Sequence, residues 1–167
     1  FDIMIKSRFD ILQQVKQSAK DLKVDITCSM SFVYDYLDYD EADDALNKFA
    51  RNYEPGYDVI KGNTIRWNEE TGFKSIEYPV ISYPAIPFNF LICHQSTYIS
   101  KSAYERYGGY GIDYRVAMDF DLMLRFTQKG AKFRKINENL AIFRMGGISQ
   151  TAGQRRYDEM KKAMLSN

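Results

Sequence analysis

The sequence predicts an α/β domain whose mixed sheet is flanked by helices, and three observations carry that reading. First, Phe1–Ile5 alternates as a short strand, Asp10 with Gln13 three residues on marks a helix start, and Leu12, Val15, Ala19 and Leu22 form one helical stripe before a strand at Val24–Cys28. Strand, helix, strand in that order opens an α/β layer with a parallel pair. Second, Leu46, Phe49, Ala50 and Tyr53 repeat the helical spacing, Pro55-Gly56 breaks it, and Tyr57–Lys61 reads as the next strand. Third, Thr64–Trp67 and Phe73–Ile76 flank Glu69-Glu70-Thr71-Gly72, a hairpin with glycine where positive φ is needed. A hairpin is antiparallel, so the strands of this sheet run in mixed directions.

The remaining elements follow in order. The segment 79–90 holds Pro79, Pro84 and Pro87, three of the four prolines of the chain, and reads as a long loop leading into the apolar Phe90-Leu91-Ile92-Cys93. Such a loop is expected to be mobile beside a site. Ser102–Arg106 predicts a short helix stopped by Gly108-Gly109. Asp119–Lys129 predicts a longer one stopped by Gly130, and it is buried, because Phe120, Leu122, Met123, Leu124 and Phe126 cover most of its circumference. Lys132–Ile136 and Leu140–Arg144 read as two strands, and Arg155–Leu165 as a terminal amphipathic helix.

Length and charge bound the function. The 167 residues suit a single domain over 1–167. With 45% apolar and 15% aromatic residues the chain has the material for a core. Its 23 basic and 22 acidic side chains cancel to a net +1, which removes the broad basic field of a duplex-binding protein. No nucleic-acid partner is expected. Cys28 and Cys93 lack metal or redox spacing and read as buried thiols of a reducing compartment. No apolar run is long enough to span a bilayer, so the expected location is cytoplasmic. A first residue of Phe rather than Met fits a chain that lacks an N-terminal part.

Three stretches could carry chemistry. In Tyr36-Leu37-Asp38-Tyr39-Asp40-Glu41 two carboxylates stand one residue apart after an apolar segment, a pattern that can hold Mg²⁺ or Mn²⁺ against a diphosphate, or simply form a solvated acidic loop before a helix. His94-Gln95-Ser96 contains the one histidine, which could be a base, a ligand or a half-buried structural residue. Asp119 stands at the entry of the apolar helix, where the dipole stabilises a carboxylate, so it reads either as a proton acceptor or as an N-cap. Asp121 and Arg125, four residues apart, can pair on that helix. Arg144 precedes Gly146-Gly147 just after a strand, where a cation could approach an anionic ligand. No G-x-G-x-x-G, Walker loop or G-x-S-x-G elbow is present.

From about Asp43 to Ser149 the order of these pieces resembles the inverting family 2 glycosyltransferases of the GT-A fold, which build bacterial surface polysaccharides. The resemblance rests on Ala45-Leu46-Asn47-Lys48-Phe49, Tyr57–Asn63, His94–Ser102, Gly108–Arg125 and Phe143–Ser149. It implies transfer of a sugar from a nucleotide-sugar to a hydroxyl of a saccharide or lipid-linked saccharide, with a peripheral place at the membrane in the lipid-linked case. It also implies Asp119 as catalytic base and Asp38 with Asp40 as ligands of Mn²⁺ or Mg²⁺. His94, Gln95, Ser96, Asp121, Arg125 and Arg144 are then the substrate-binding positions. Phe1–Ser31 lacks the family's opening strand and "T.yN" turn, so the expected chain is without a complete nucleotide-binding part. The alternative is a non-catalytic carbohydrate-binding or assembly domain derived from such an enzyme.

Overall fold

The computed structural model describes residues 26–27, 39–79, 93–146 and 152–167, and within them the chain is a mixed α/β sheet flanked by helices. The elements are β1 (Ile26–Thr27), α1 (Tyr39–Asn52), β2 (Val59–Trp67), β3 (Lys74–Glu77), a 3₁₀ turn at His94–Ser96, β4 (Thr97–Ser100), α2 (Lys101–Tyr107), α3 (Met118–Gln128), β5 (Phe133–Arg144) and α4 (Gly153–Ser166).

β2 is the axis of the sheet. On one edge its first half pairs antiparallel with β4, Val59 opposite Ile99 and Lys61 opposite Thr97. Its second half pairs on that edge with β3, from Thr64 opposite Glu77 to Trp67 opposite Lys74. Its other edge carries β5 in parallel, from Val59 opposite Phe133 to Trp67 opposite Arg144. β1 lies outside β4, antiparallel to it. The predicted mixture of directions is therefore present, with the parallel pair at β2 and β5. The parallel pair expected at Phe1–Ile5 and Val24–Cys28 falls largely outside the described residues, and what is described of it, β1, is antiparallel to its neighbour.

Two corrections concern strand continuity. The strands expected at Tyr57–Lys61 and Thr64–Trp67 are one strand, β2, which starts at Val59, and those expected at Lys132–Ile136 and Leu140–Arg144 are one strand, β5, which starts at Phe133. The reason is an irregularity that both strands share. Register shifts between Lys61 and Asn63 and between Asn63 and Thr64 let β5 accommodate extra residues. There Asn63 donates through Nδ2 to Asn137 Oδ1 at 3.2 Å and to Asn139 Oδ1 at 3.4 Å. Polar residues in the middle of an apolar pattern read as a break in sequence; here they stitch the bulge.

Alternation along β2 and β4 sorts the core onto two faces. Val59 and Ile99 pack with Ala103, Tyr107, Leu122, Met123 and Phe126 under α2 and α3. Ile60 and Tyr98 point the other way, onto Phe49 of α1, Ile136 and Leu140. The Phe49 and Tyr98 rings stack with centroids 4.1 Å apart. α3 is covered on its far side as well, where Tyr114, Ala117, Phe120 and Leu124 meet Met160 and Ala163 of α4. That double cover bears out the reading of α3 as a buried helix. The predicted stops also hold: Gly108 caps α2 at φ 91° and Gly130 follows α3 at φ 78°. Gly72 sits at φ 71° in the β2–β3 turn, as the hairpin reading required.

Candidate functional site

The site is built where the 3₁₀ turn before β4 meets the first turn of α3. The 3₁₀ turn is fixed by its own short side chains. Thr97 Oγ1 donates to Cys93 O at 3.0 Å, the Thr97 N–H is bonded to His94 O, and the Ser96 and Thr64 hydroxyls lie 2.7 Å apart, tying the turn to β2. His94 is thus presented from a backbone held on both sides.

α3 begins without a side-chain cap of its own. Its N-cap is Ala117, and Asp119 lies inside the first turn rather than at the cap, which corrects the N-cap reading of that residue. The orphan N–H groups before the helix are met from a distance: Glu159 Oε2 of α4 accepts from Arg115, Val116 and Ala117 at 3.0, 2.8 and 3.0 Å. Burial opposes ionisation of Glu159, but those three N–H groups, with Arg155 nearby, outweigh it and hold its carboxyl below the usual range. The N–H groups at and before the N-cap are thus met from another element, and Asp119 meets one within the first turn. Its Oδ1 accepts the Phe120 N–H at 2.8 Å, and its Oδ2 lies 3.3 Å from His94 Nδ1.

His94 and Asp119 keep 30% and 24% of their side-chain surface exposed, in contrast to the closed core beneath them. They open on a small cleft, partly open to solvent, whose other walls are Thr97, Ile99, Tyr110, Leu122 and Met123. Behind the pocket Lys61 is buried in β2 at 3% exposure. Its burial pushes the ammonium below its usual range, while Cys93, Glu77 and Asp119 push it back up. Asp119 therefore has a histidine in contact and a buried cation within electrostatic reach.

The other sequence-predicted residues are distributed differently. Ser96 is buried against Thr64 and so is not presented as a nucleophile beside His94. Gln95 Oε1 accepts from Cys93 Sγ at 2.8 Å, and burial pushes that thiol up, away from the reactive thiolate form. Cys93 is a free thiol, and Cys28 lies outside the described residues. Asp121, 4% exposed, accepts from Arg125 Nε at 3.0 Å and from Asn167 Nδ2 at 3.0 Å, so the expected helical ion pair is present. Arg125 also donates to Tyr107 O at 3.0 Å and Gly109 O at 2.6 Å, which holds the turn leading to Tyr110 against the pocket. Arg144 ends β5 opposite Trp67, pairs with Glu69 at 3.0 Å, and is not in the pocket wall. Asp40 falls in the first turn of α1, and Asp38 lies outside the described residues, as does the loop 80–92. Among the described residues no group of three His, Cys, Asp or Glu side chains is placed to hold a metal ion, and no helix is long and apolar enough to cross a membrane.

Sequence reasoning missed Glu159, Asn167 and Tyr110. Glu159 contacts residues more than forty positions away, so no local pattern marks it. No family model matches the chain, and no curated protein or solved structure matches it at a significant level.

Proposed function

We propose that this chain is a GT-A-like inverting glycosyltransferase domain, moving a sugar from a nucleotide-sugar donor to a hydroxyl of a saccharide or lipid-linked saccharide acceptor. The observation that carries the reading is Asp119: a carboxylate oriented by a backbone N–H at 2.8 Å and left half-open on a pocket beside the one histidine of the chain. A carboxylate so placed can draw a proton, directly or through a neighbour, from a hydroxyl entering the pocket, while the oxygen attacks the anomeric carbon from the face opposite the diphosphate. Aliphatic and aromatic walls from Ile99, Leu122, Met123 and Tyr110 suit the apolar face of a sugar ring.

The metal belongs to the same proposal. Asp38 and Asp40 would hold Mn²⁺ or Mg²⁺, which, when bound, neutralises the charge of the departing diphosphate. Asp40 stands in the first turn of α1, where a helix N-terminus favours a carboxylate whether or not a metal is bound. Two carboxylates make an incomplete shell that diphosphate oxygens complete. Calorimetry should therefore find weak Mn²⁺ binding that UDP or GDP strengthens, and the Asp38→Asn, Asp40→Asn variant should lose that coupling; equal affinity in the variant removes the metal assignment.

The direct test is release of nucleoside diphosphate from a panel of UDP- and GDP-sugars with simple glycosides as acceptors. Turnover that Asp119→Asn abolishes supports the enzyme. Saccharide binding without turnover points instead to the carbohydrate-binding alternative.

A further inference from the structure

We propose that His94 and Asp119 act as one proton-transfer dyad, in which Nε2 of His94 takes the acceptor's proton and Asp119 orients the ring and stabilises its charged form. The proposal deepens the transferase reading and rests on it for the identity of the acceptor.

Four observations on different elements converge. His94 Nδ1 is 3.3 Å from Asp119 Oδ2, within the range that tightens when substrate closes a site. Asp119 Oδ1 is engaged by the Phe120 N–H at 2.8 Å, so the carboxylate is fixed from the side opposite the ring. The 3₁₀ turn holds the His94 backbone through Thr97, whose side chain and N–H both bond back to the turn. Both groups line the same pocket.

The donor and acceptor inventory of the pair then decides the roles. A carboxylate is acceptor-only, so a neutral ring facing it through Nδ1 must carry its proton there. That leaves Nε2 as a lone pair, and among the described residues the ring makes no second hydrogen bond. Each oxygen of Asp119 accepts one hydrogen bond and keeps further capacity, whereas the ring's Nε2 is the open lone pair of imidazole, the side chain suited to accept a proton near neutral pH. The arrangement has the base-and-orienter logic of hydrolase triads without their nucleophile, since Ser96 and Cys93 are engaged elsewhere. Transfer to a hydroxyl needs no protein nucleophile.

The acceptor O–H bond breaks and its proton moves to Nε2, while the oxygen's electron pair forms the bond to the anomeric carbon. The bond from that carbon to the diphosphate breaks, and its electron pair leaves on the nucleoside diphosphate. The imidazolium, paired with Asp119, returns its proton to solvent.

Because the chain has one histidine, the test needs neither donor nor acceptor. Protein labelled with ¹⁵N-histidine reports by NMR which ring nitrogen carries the proton in the neutral form, and diethyl pyrocarbonate reports the reactivity of Nε2. The expected result is an Nδ1–H tautomer in the wild type and prompt carbethoxylation at Nε2. In Asp119→Ala the tautomer preference should be lost and modification slowed roughly tenfold, the bias given by one charge-assisted hydrogen bond. An Nε2–H tautomer in the wild type overturns the dyad, and so does a modification rate that Asp119→Ala leaves unchanged. The tautomer is read on the unaltered protein, so a misfolded variant does not spare the proposal. A chain that keeps the dyad signature but turns over no sugar nucleotide would sink the transferase reading instead.

Discussion

Asp58, buried just ahead of a strand, and Asp119, half-buried in the first turn of a helix, are both carboxylates, and what separates them is how their oxygens are used. Asp58, with 8% of its side chain exposed, stands just before β2. Its Oδ1 accepts from Arg106 Nη1 at 3.0 Å, and its Oδ2 accepts from the Lys132 N–H at 2.8 Å and the Tyr107 hydroxyl at 3.3 Å. One carboxylate thereby joins the end of α2, the start of β2 and the start of β5. Asp119 receives one backbone N–H and one ring nitrogen, and the rest of its capacity faces a pocket. A saturated carboxylate holds a fold; one left partly open can act on something that arrives. The same contrast separates Asp119 from its near neighbour Asp121, whose oxygens are taken by Arg125 and Asn167.

The sharpest way to break this comparison is to give both residues comparable substitutions. Asp119→Asn keeps an oxygen for the Phe120 N–H but removes the charge, so sugar transfer should fall by about 100-fold or more while the melting temperature barely moves. Near-full activity in that variant would reduce Asp119 to a structural residue. Asp58→Ala should show the opposite profile. Stranding the Lys132 N–H and the Tyr107 hydroxyl should cost about 2–3 kcal/mol in urea unfolding, with transfer by the folded fraction unchanged. Loss of activity without loss of stability there would erase the distinction.

A smaller effect tests the shared bulge beneath the site. A Cβ on Gly62 would stand 2.4 Å from Leu140 Cγ and 2.8 Å from Glu138 O, the latter a backbone atom that gives way only if β5 moves. Gly62→Ala should therefore cost about 1–3 kcal/mol by overpacking, measured by urea unfolding. An unchanged midpoint would mean that the β2–β5 contact is looser than its register.

The smallest expected effect concerns Glu159, the remote cap of α3. Its carboxyl is held below the usual 4.5, so the stability it contributes is fully present above that pH and is lost as pH falls through the lower folded value. Glu159→Gln retains an acceptor for the three N–H groups and loses the charge. It should destabilise by about 1 kcal/mol at neutral pH, and the gap should close as pH falls through the lowered folded value. A gap that persists in acid would assign the contribution to packing of α4 rather than to the ionised cap.

Much of this was written locally. Helical spacing and glycine stops placed α2, α3 and α4 to within a few residues, because apolar periodicity and positive-φ positions are properties of short windows. Asp121 and Arg125 were legible as a pair for the same reason, being one turn apart on a helix. The hairpin was legible from its turn alone. The two long strands were not, since Asn137 and Asn139 interrupt the pattern and only Asn63 across the sheet makes sense of them.

By itself the sequence determined most of the elements and the mixture of strand directions, and it singled out Asp119 and His94 as candidates, each as a residue of a suitable type in a suitable stretch. Only the tertiary structure decided that these two meet. They are 25 residues apart, on a 3₁₀ turn and a helix that touch because Val59, Ile99 and Leu122 bury a common face. It also decided that Glu159, from α4, binds the N–H groups that lead into α3. Both facts are long-range pairings fixed by packing, and packing depends on which faces bury together, a quantity that no window of the chain contains.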